Sequence, residues 1–333
     1  NTCLDVSQKY IQARRIVNGL SLECPQPTLS QKLTAQLQMV VLAPLHAIAD
    51  KLVYAKIRSA TGGKIDYIIS GGGSLAKHLD LFFEIIGVNV LVGYGLTETA
   101  PITNVRRPWH NLRLSSGQPL PGTEIRIVDP ETRQTLPIGH KGLILIRGPQ
   151  VMQGYYRNPE ATAKAIDPEG WFNSGDLGMV TANNDLVITG RAKDTIVLSN
   201  GENIEPQPIE DACLRSEYIS QIVLVGQDQK YLGALIVPNL EALQQWADRQ
   251  NLPLDLEHSQ IKDLFRTELT REVKNRPGYR ADDRIAVIKP ILEPFSIENG
   301  LLTQTLKIRR PVVMERYQDM INEMFKRELG NRE

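Results

Sequence analysis

Six consecutive residues, Tyr94-Gly95-Leu96-Thr97-Glu98-Thr99, gather an aromatic ring, hydroxyls and a carboxylate on one short segment. The ring can stack on a flat base and the hydroxyls can bond phosphate oxygens. The carboxylate is a hard oxygen ligand suited to Mg²⁺. A Thr with a Glu nearby also fits a helix cap, and spacing leaves both readings open. Upstream, Gly71, Gly72 and Gly73 lie between Ser70 and Ser74. They let a ligand approach the backbone because no Cβ intervenes, although a plain tight turn explains them as well. Downstream, Gly170 to Gly178 sets Asp176 between two glycines. A carboxylate there can accept two ribose hydroxyl hydrogens, or it can fix a turn through its own backbone. The run Gly190-Arg191-Ala192-Lys193-Asp194 reads as an exposed linker or a solvated charged turn. Lys307 stands in a polar loop near the end of the chain. Such a lysine is ordinarily solvated surface, but a mobile cation can also reach an anionic centre and stabilise charge developing there.

The elements that carry these residues follow from periodicity. Residues 1–60 read as helices divided at Pro25, Pro27 and Pro44, since proline breaks the helical ladder. The apolar run 65–69, the glycine turn, a helical pattern over 75–86 and a second apolar run over 88–92 form a strand–helix–strand unit. Such a unit predicts parallel strands. Between Pro119 and Gly190, short alternating runs separated by Gly, Pro, Asn and Asp predict a small β-rich subdomain built of hairpins. Beyond Arg191 the spacing predicts strands over 196–198, 222–225 and 234–237. It also predicts helices over 208–214, 240–249, 259–274 and 312–326, a compact α+β domain of ordinary size.

A length of 333 residues suits about two domains. Apolar residues at 41% and charged residues at 23% are ordinary for a globular chain. Lys+Arg and Asp+Glu both number 38, a balance that points away from a nucleic-acid partner. Cys3, Cys24 and Cys213 are too few and too scattered for a disulfide framework, so a reducing cytoplasm is the simpler setting. Cys213, on a predicted helix, reads as a buried structural thiol. Histidines 46, 78, 110, 140 and 258 lack metal-ligand spacing and read as structural or surface groups. The most apolar run, Met39 to Ala49, is too short to span a bilayer. It reads first as a buried helix and second as a peripheral membrane contact. With Asn1 first and no signal-peptide pattern, the chain reads as a fragment whose true N-terminus lies upstream.

Each motif is modest alone, but their order is specific. Ser70-Gly-Gly-Gly73 leads to Tyr94–Thr99, then to the stretch from Gly142-Leu-Ile-Leu-Ile-Arg-Gly-Pro to Met152-Gln-Gly-Tyr-Tyr156. Ser174-Gly-Asp-Leu-Gly178, Gly190–Asp194, Ser199-Asn-Gly-Glu-Asn-Ile204 and Lys307 follow. The series resembles the acyl-CoA synthetase, luciferase and peptide-synthetase adenylation superfamily. The resemblance is closest to long-chain fatty-acid ligases, through Ala49–Tyr54, Lys56-Ile57-Arg58 and Leu302–Lys307.

That resemblance implies an α/β fold. Residues 1–191 would be the C-terminal part of a large AMP-binding domain, with parallel strands and a small β-rich subdomain. Residues 192–194 would be a hinge, and 195–333 a small mobile α+β domain. It implies ATP-dependent activation of a long-chain fatty acid to acyl-AMP and transfer to CoA or acyl carrier protein. Gly71, Gly72 and Gly73 would border the adenine and acyl pockets. Tyr94 would stack on adenine beside Gly95. Thr97 would contact phosphate, Glu98 would bind Mg²⁺, and Asp176 and Arg191 would hold the ribose. Lys193 would be the pivot, Gly201 would lie on the loop facing the pantetheine arm, and Lys307 would enter the site for adenylation. Two departures stand out. The Ser/Thr/Gly-rich phosphate loop is missing from the sequence, and Leu306 replaces the usual Gly before the lysine. An activator of another carboxylic acid and a non-catalytic AMP-binding module remain as rival readings.

Overall fold

The computed structural model describes residues 2–330. The chain separates into two compact units, 1–188 and 189–333.

The first unit begins with α1 (Thr2–Val17) and α2 (Leu29–Ala49). Thr28 starts α2 with a reciprocal cap: its hydroxyl accepts from the Gln31 N–H, and the Gln31 side chain accepts from the Thr28 N–H. Pro44 does not divide the segment, contrary to expectation, and lies inside α2. Proline removes one rung, but a long capped stretch already stands before it and propagation is cooperative. The chain then widens to a π-helical turn over Asp50–Tyr54 and continues as α3 (Ala55–Ala60). Tyr54 is buried and hydrogen-bonded to Ser7, which also bonds His46. His46 stacks on Tyr10, so this histidine is structural.

The expectation of a buried helix at 39–49 is overturned. Val40, Val41, Leu45 and Ile48 are exposed, as are Leu33 and Leu37 one and two turns earlier. Only Ala35 and Ala49 of α2 are buried. No helix among the described residues is long and apolar enough to cross a membrane.

Strand β1 (Tyr67–Ser70), α4 (Lys77–Ile85) and β2 (Asn89–Tyr94) form the expected unit. β1 and β2 are parallel, with Tyr67 opposite Asn89 and Ser70 opposite Val92. Two short antiparallel strands that periodicity did not reveal, β3 (Asn104–Val105) and β4 (Gln118–Pro119), extend this sheet. Asp80 on α4 holds them in place. It is 1% exposed and bonds the Arg106 and Arg113 guanidiniums and the Leu114 N–H.

A second, four-stranded sheet comprises β5 (Glu124–Val128), β6 (Gly142–Arg147), β7 (Phe172–Val180) and β8 (Leu186–Arg191), in that order. It matches the predicted hairpin subdomain. Helix α5 (Pro159–Ala165) precedes β7. Ile127, Ile144, Ile146, Phe172 and Leu186 form its core, and Tyr94 and Leu96 pack against it from the end of β2.

In the second unit a 3₁₀ turn, Ala192–Asp194, leads to the paired β9 (Ile196–Val197) and β10 (Asn203–Ile204), then α6 (Pro206–Cys213). Next come β11 (Ile219–Val225), β12 (Leu232–Pro238), α7 (Leu240–Arg249) and α8 (Ser259–Lys274). β12 is central and buried along its length. Side chains alternate faces along a strand, so Leu232, Ala234 and Ile236 join one core while Leu235 and Val237 join another. Cys213 is buried as expected, and burial, reinforced by Glu210, pushes its thiol up to about 12.

Strand β13 (Ile285–Pro290) pairs parallel with β12 and is not among the strands that the sequence predicts. It lies at the sheet edge, where a terminal proline removes no ladder bond. The predicted helix over 312–326 is broken at Tyr317 into α9 (Arg310–Arg316) and α10 (Gln318–Gly330).

Candidate nucleotide site

Parallel pairing of β1 and β2 brings the ends of both strands to one sheet edge. The Gly71–Gly73 turn therefore lies beside the Tyr94–Thr99 segment, and a Cβ added at Gly71 would sit 3.6 Å from the Gly93 carbonyl. Gly72 and Gly73 face open space. Gly95 is required by packing: a Cβ there would fall 1.8 Å from the Pro101 carbonyl oxygen.

The Thr–Glu–Thr segment divides its work. Thr99 is fully buried, and its hydroxyl accepts from the Leu96 N–H and bonds the Leu96 carbonyl. The capping reading thus applies to Thr99. Thr97 is exposed and Glu98 half-buried on a 3₁₀ turn, Thr97–Thr99. The Glu98 carboxylate accepts from the Tyr155 hydroxyl at 2.8 Å, and the Glu98 carbonyl accepts from the Met152 N–H at 2.8 Å.

Asp176 does not fix a turn. It lies within β7, 4% exposed, and its carboxylate accepts the Tyr94 hydroxyl at 2.6 Å. Two residues 82 positions apart thus meet at one point. The Tyr94–Asp176 pair, the glycine turn and Glu98 belong to the first unit. No cluster of three or more His, Cys, Asp or Glu able to hold a metal occurs among the described residues. A single half-buried carboxylate at Glu98 fits Mg²⁺, which typically takes one or two carboxylates plus substrate phosphates and water.

The remaining residues fall in the second unit. Arg191 ends β8, and Lys193 is exposed on the 3₁₀ turn that follows. Gly201 sits in the tight turn between β9 and β10, closed by its N–H to the Leu198 carbonyl at 2.8 Å. That turn is braced from outside, by Arg280 on Glu202 and the Asn203 carbonyl and by Asn200 on Asp282. Lys307 is exposed on a loop closed by a bridge between Leu302 and Ile308. Its N–H donates to the Thr303 hydroxyl, and its carbonyl accepts from the Thr303 N–H. Arg310 anchors the end of this loop on Glu210 and the Leu224 carbonyl.

Among the histidines, His110 bonds Asp185 and His258 caps α8, so both are structural. Tyr155 escaped the sequence reading as a site residue. It was visible only as part of Met152–Tyr156, and nothing along the chain says which of two adjacent tyrosines faces Glu98.

Residues 19–156 match the family described as AMP-binding enzyme, and residues 193–261 match the AMP-binding enzyme C-terminal domain. The chain is 43% identical to the probable acyl-activating enzyme 16, chloroplastic, of Arabidopsis thaliana, over 98% of this chain and 47% of the relative. It is 41% identical to the long-chain-fatty-acid–[acyl-carrier-protein] ligase AEE15, chloroplastic, of the same plant, over 97% and 45%. The long-chain-fatty-acid–CoA ligase FadD15 of Mycobacterium bovis is 33% identical over 87% and 47%. The chain thus spans a little under half the length of these relatives. Its fold is similar to the adenylation domain of a carboxylate reductase from Mycobacterium chelonae, with a TM-score of 0.67 at 23% identity, covering 98% of this chain and 45% of that one. The ordered motifs, the mixed α/β fold and both matched domains agree, and the chain belongs to the AMP-binding enzyme family.

Proposed function

We propose that this chain is the C-terminal part of an AMP-forming ligase that activates a long-chain fatty acid as acyl-AMP and passes the acyl group to a thiol. The observation that carries this reading is the hydrogen bond from Tyr94 to the buried Asp176, set beside the glycine turn and Glu98. A ring oriented by that bond offers a fixed face to adenine. Gly71, Gly72 and Gly73 border the pocket, with Gly95 behind Tyr94, and Asp176 with Arg191 hold the ribose. Thr97 is placed to contact phosphate.

In the first half-reaction a carboxylate oxygen attacks the α-phosphorus of ATP and pyrophosphate leaves. Two anions must meet, so the ammonium of Lys307 is assigned to neutralise charge that grows in the transition state. Glu98 would hold Mg²⁺, which supplies further charge neutralisation at the phosphates. In the second half-reaction a thiolate attacks the acyl-AMP carbonyl and AMP departs. Lys307 is then not needed, and rotation about Lys193 withdraws it while Gly201 comes to face the thiol arm, a gating step.

The thiol belongs to CoA or to an acyl carrier protein. The 41%-identical relative named for acyl carrier protein favours that thiol over CoA, named for the 33%-identical one. Three unpaired cysteines, one of them exposed, suit a reducing compartment such as the cytoplasm.

The test is Lys307→Ala in a full-length protein carrying this sequence. Adenylation, read as ATP–pyrophosphate exchange, should fall by about 10²–10³-fold, the typical effect of removing one charge-stabilising donor. Thioester formation from supplied acyl-AMP should be largely spared, with either thiol. Equal loss of both half-reactions would remove Lys307 from its assigned role.

A further inference from the structure

We infer that Tyr155 is a positioning residue for the Glu98 carboxylate, holding one oxygen so that the other is presented to the metal–nucleotide. The inference rests on the proposed role of Glu98 and adds the residue that aims it. The Tyr155 hydroxyl donates to Glu98 Oε1 at 2.8 Å. Oε2 takes no protein donor among the described residues.

The tyrosine is itself fixed. Its N–H donates to Thr162 Oγ1 at 2.9 Å, and the Thr162 hydroxyl bonds the Asn158 carbonyl. Asn158 caps α5, with Pro159 in the first turn. The loop lies flat on this helix because Gly154 has no side chain; a Cβ there would come within 2.7 Å of Thr162. A second tie, from the Met152 N–H to the Glu98 carbonyl, joins the same two segments through the backbone. The side-chain bond is therefore not needed to hold the segments together, which leaves orientation of the carboxylate as its work. The neighbouring Tyr156 is 85% exposed.

Partners that orient a ligating carboxylate typically change metal affinity by about 10–100-fold when removed. The experiment uses a full-length protein carrying this sequence and compares Tyr155→Phe, Thr162→Val, Glu98→Gln and, as a control, Tyr156→Phe. Binding of Mn²⁺·ATP is followed by electron paramagnetic resonance, and pyrophosphate exchange is titrated with Mg²⁺. Tyr155→Phe should weaken Mn²⁺·ATP binding about tenfold, raise the Mg²⁺ concentration for half-maximal exchange to match, and recover its rate at saturating Mg²⁺. Thr162→Val should shift both in the same direction by less, and Tyr156→Phe in neither. Tyr155→Phe and Thr162→Val behaving like Tyr156→Phe, with Glu98→Gln impaired, overturns the inference and leaves Glu98 in place. Unchanged Mn²⁺·ATP binding in Glu98→Gln overturns the metal reading itself. A rate loss in Tyr155→Phe that saturating Mg²⁺ does not restore overturns the positioning role in favour of a structural one.

Discussion

Leu306 stands immediately before Lys307 in a backbone conformation that suits glycine better than leucine. Its φ is +59°, in the left-handed region that disfavours side chains. A non-glycine residue there costs about 1–2 kcal/mol, and the side chain is 68% exposed, so it recovers little by burial. Glycine would relieve the strain but loosen the unfolded chain by about 0.4–1 kcal/mol. Leu306→Gly is therefore expected to stabilise the second unit by about 0.5–1 kcal/mol, read as a higher urea midpoint at unchanged slope. A lower midpoint would show that the leucine makes a contact worth more than its strain. At the same scale, Thr97 and Thr99 have the same chemistry in the sequence and opposite fates in the fold. One is exposed beside Glu98, and the other is buried as a cap.

Helix α4 is tied to the segment that follows β3 through Asp80, which bonds Arg106, Arg113 and the Leu114 N–H. Burial raises the Asp80 carboxyl, but the charges of Arg106 and Arg113 outweigh it and hold the carboxyl below its ordinary range. Removing one partner of a buried ion pair costs about 3–5 kcal/mol, and here two guanidiniums at 3% and 5% exposure would lose the carboxylate they share, Arg113 keeping a longer pairing with Glu84 at 3.5 Å. Asp80→Asn should therefore destabilise the first unit by about that amount, seen as early loss of near-ultraviolet dichroism in a urea titration. The sign of the pH effect follows from the depressed pKa. In the wild type the contribution is complete above the unfolded carboxyl value near 4. It drains as pH falls through the lower folded value. The Asn variant should lose that acid-side dependence; retaining it would place the depressed group elsewhere.

The two units meet in sequence at β8 and the 3₁₀ turn around Lys193, which is exposed and carries no regular ladder beyond it until β9. A pivot needs backbone freedom at a few residues, and proline fixes φ near −65°. Lys193→Pro in a full-length protein carrying this sequence is expected to slow thioester formation several-fold more than pyrophosphate exchange. The opposite ranking, from paired half-reaction assays, would remove the hinge from 192–194. The proposed division of catalysis between the two units would need both, so the effect of this substitution would be read on the whole molecule.

The sequence alone determined whatever short-range chemistry dictates. Strand, glycine turn, helix and strand over 65–92 were legible because periodicity and turn residues are local. So were the hairpin subdomain and the buried Cys213. The order of motifs carried the family. What pairs across long separations was decided only by the fold: Tyr94 with Asp176, Glu98 with Tyr155, Asp80 with Arg106 and Arg113. The exposed apolar face of α2 and the edge strand β13 belong to the same class, because burial depends on what else packs nearby. A side chain's partner is set by the global path of the chain, and a string of residues carries no record of that path until it closes.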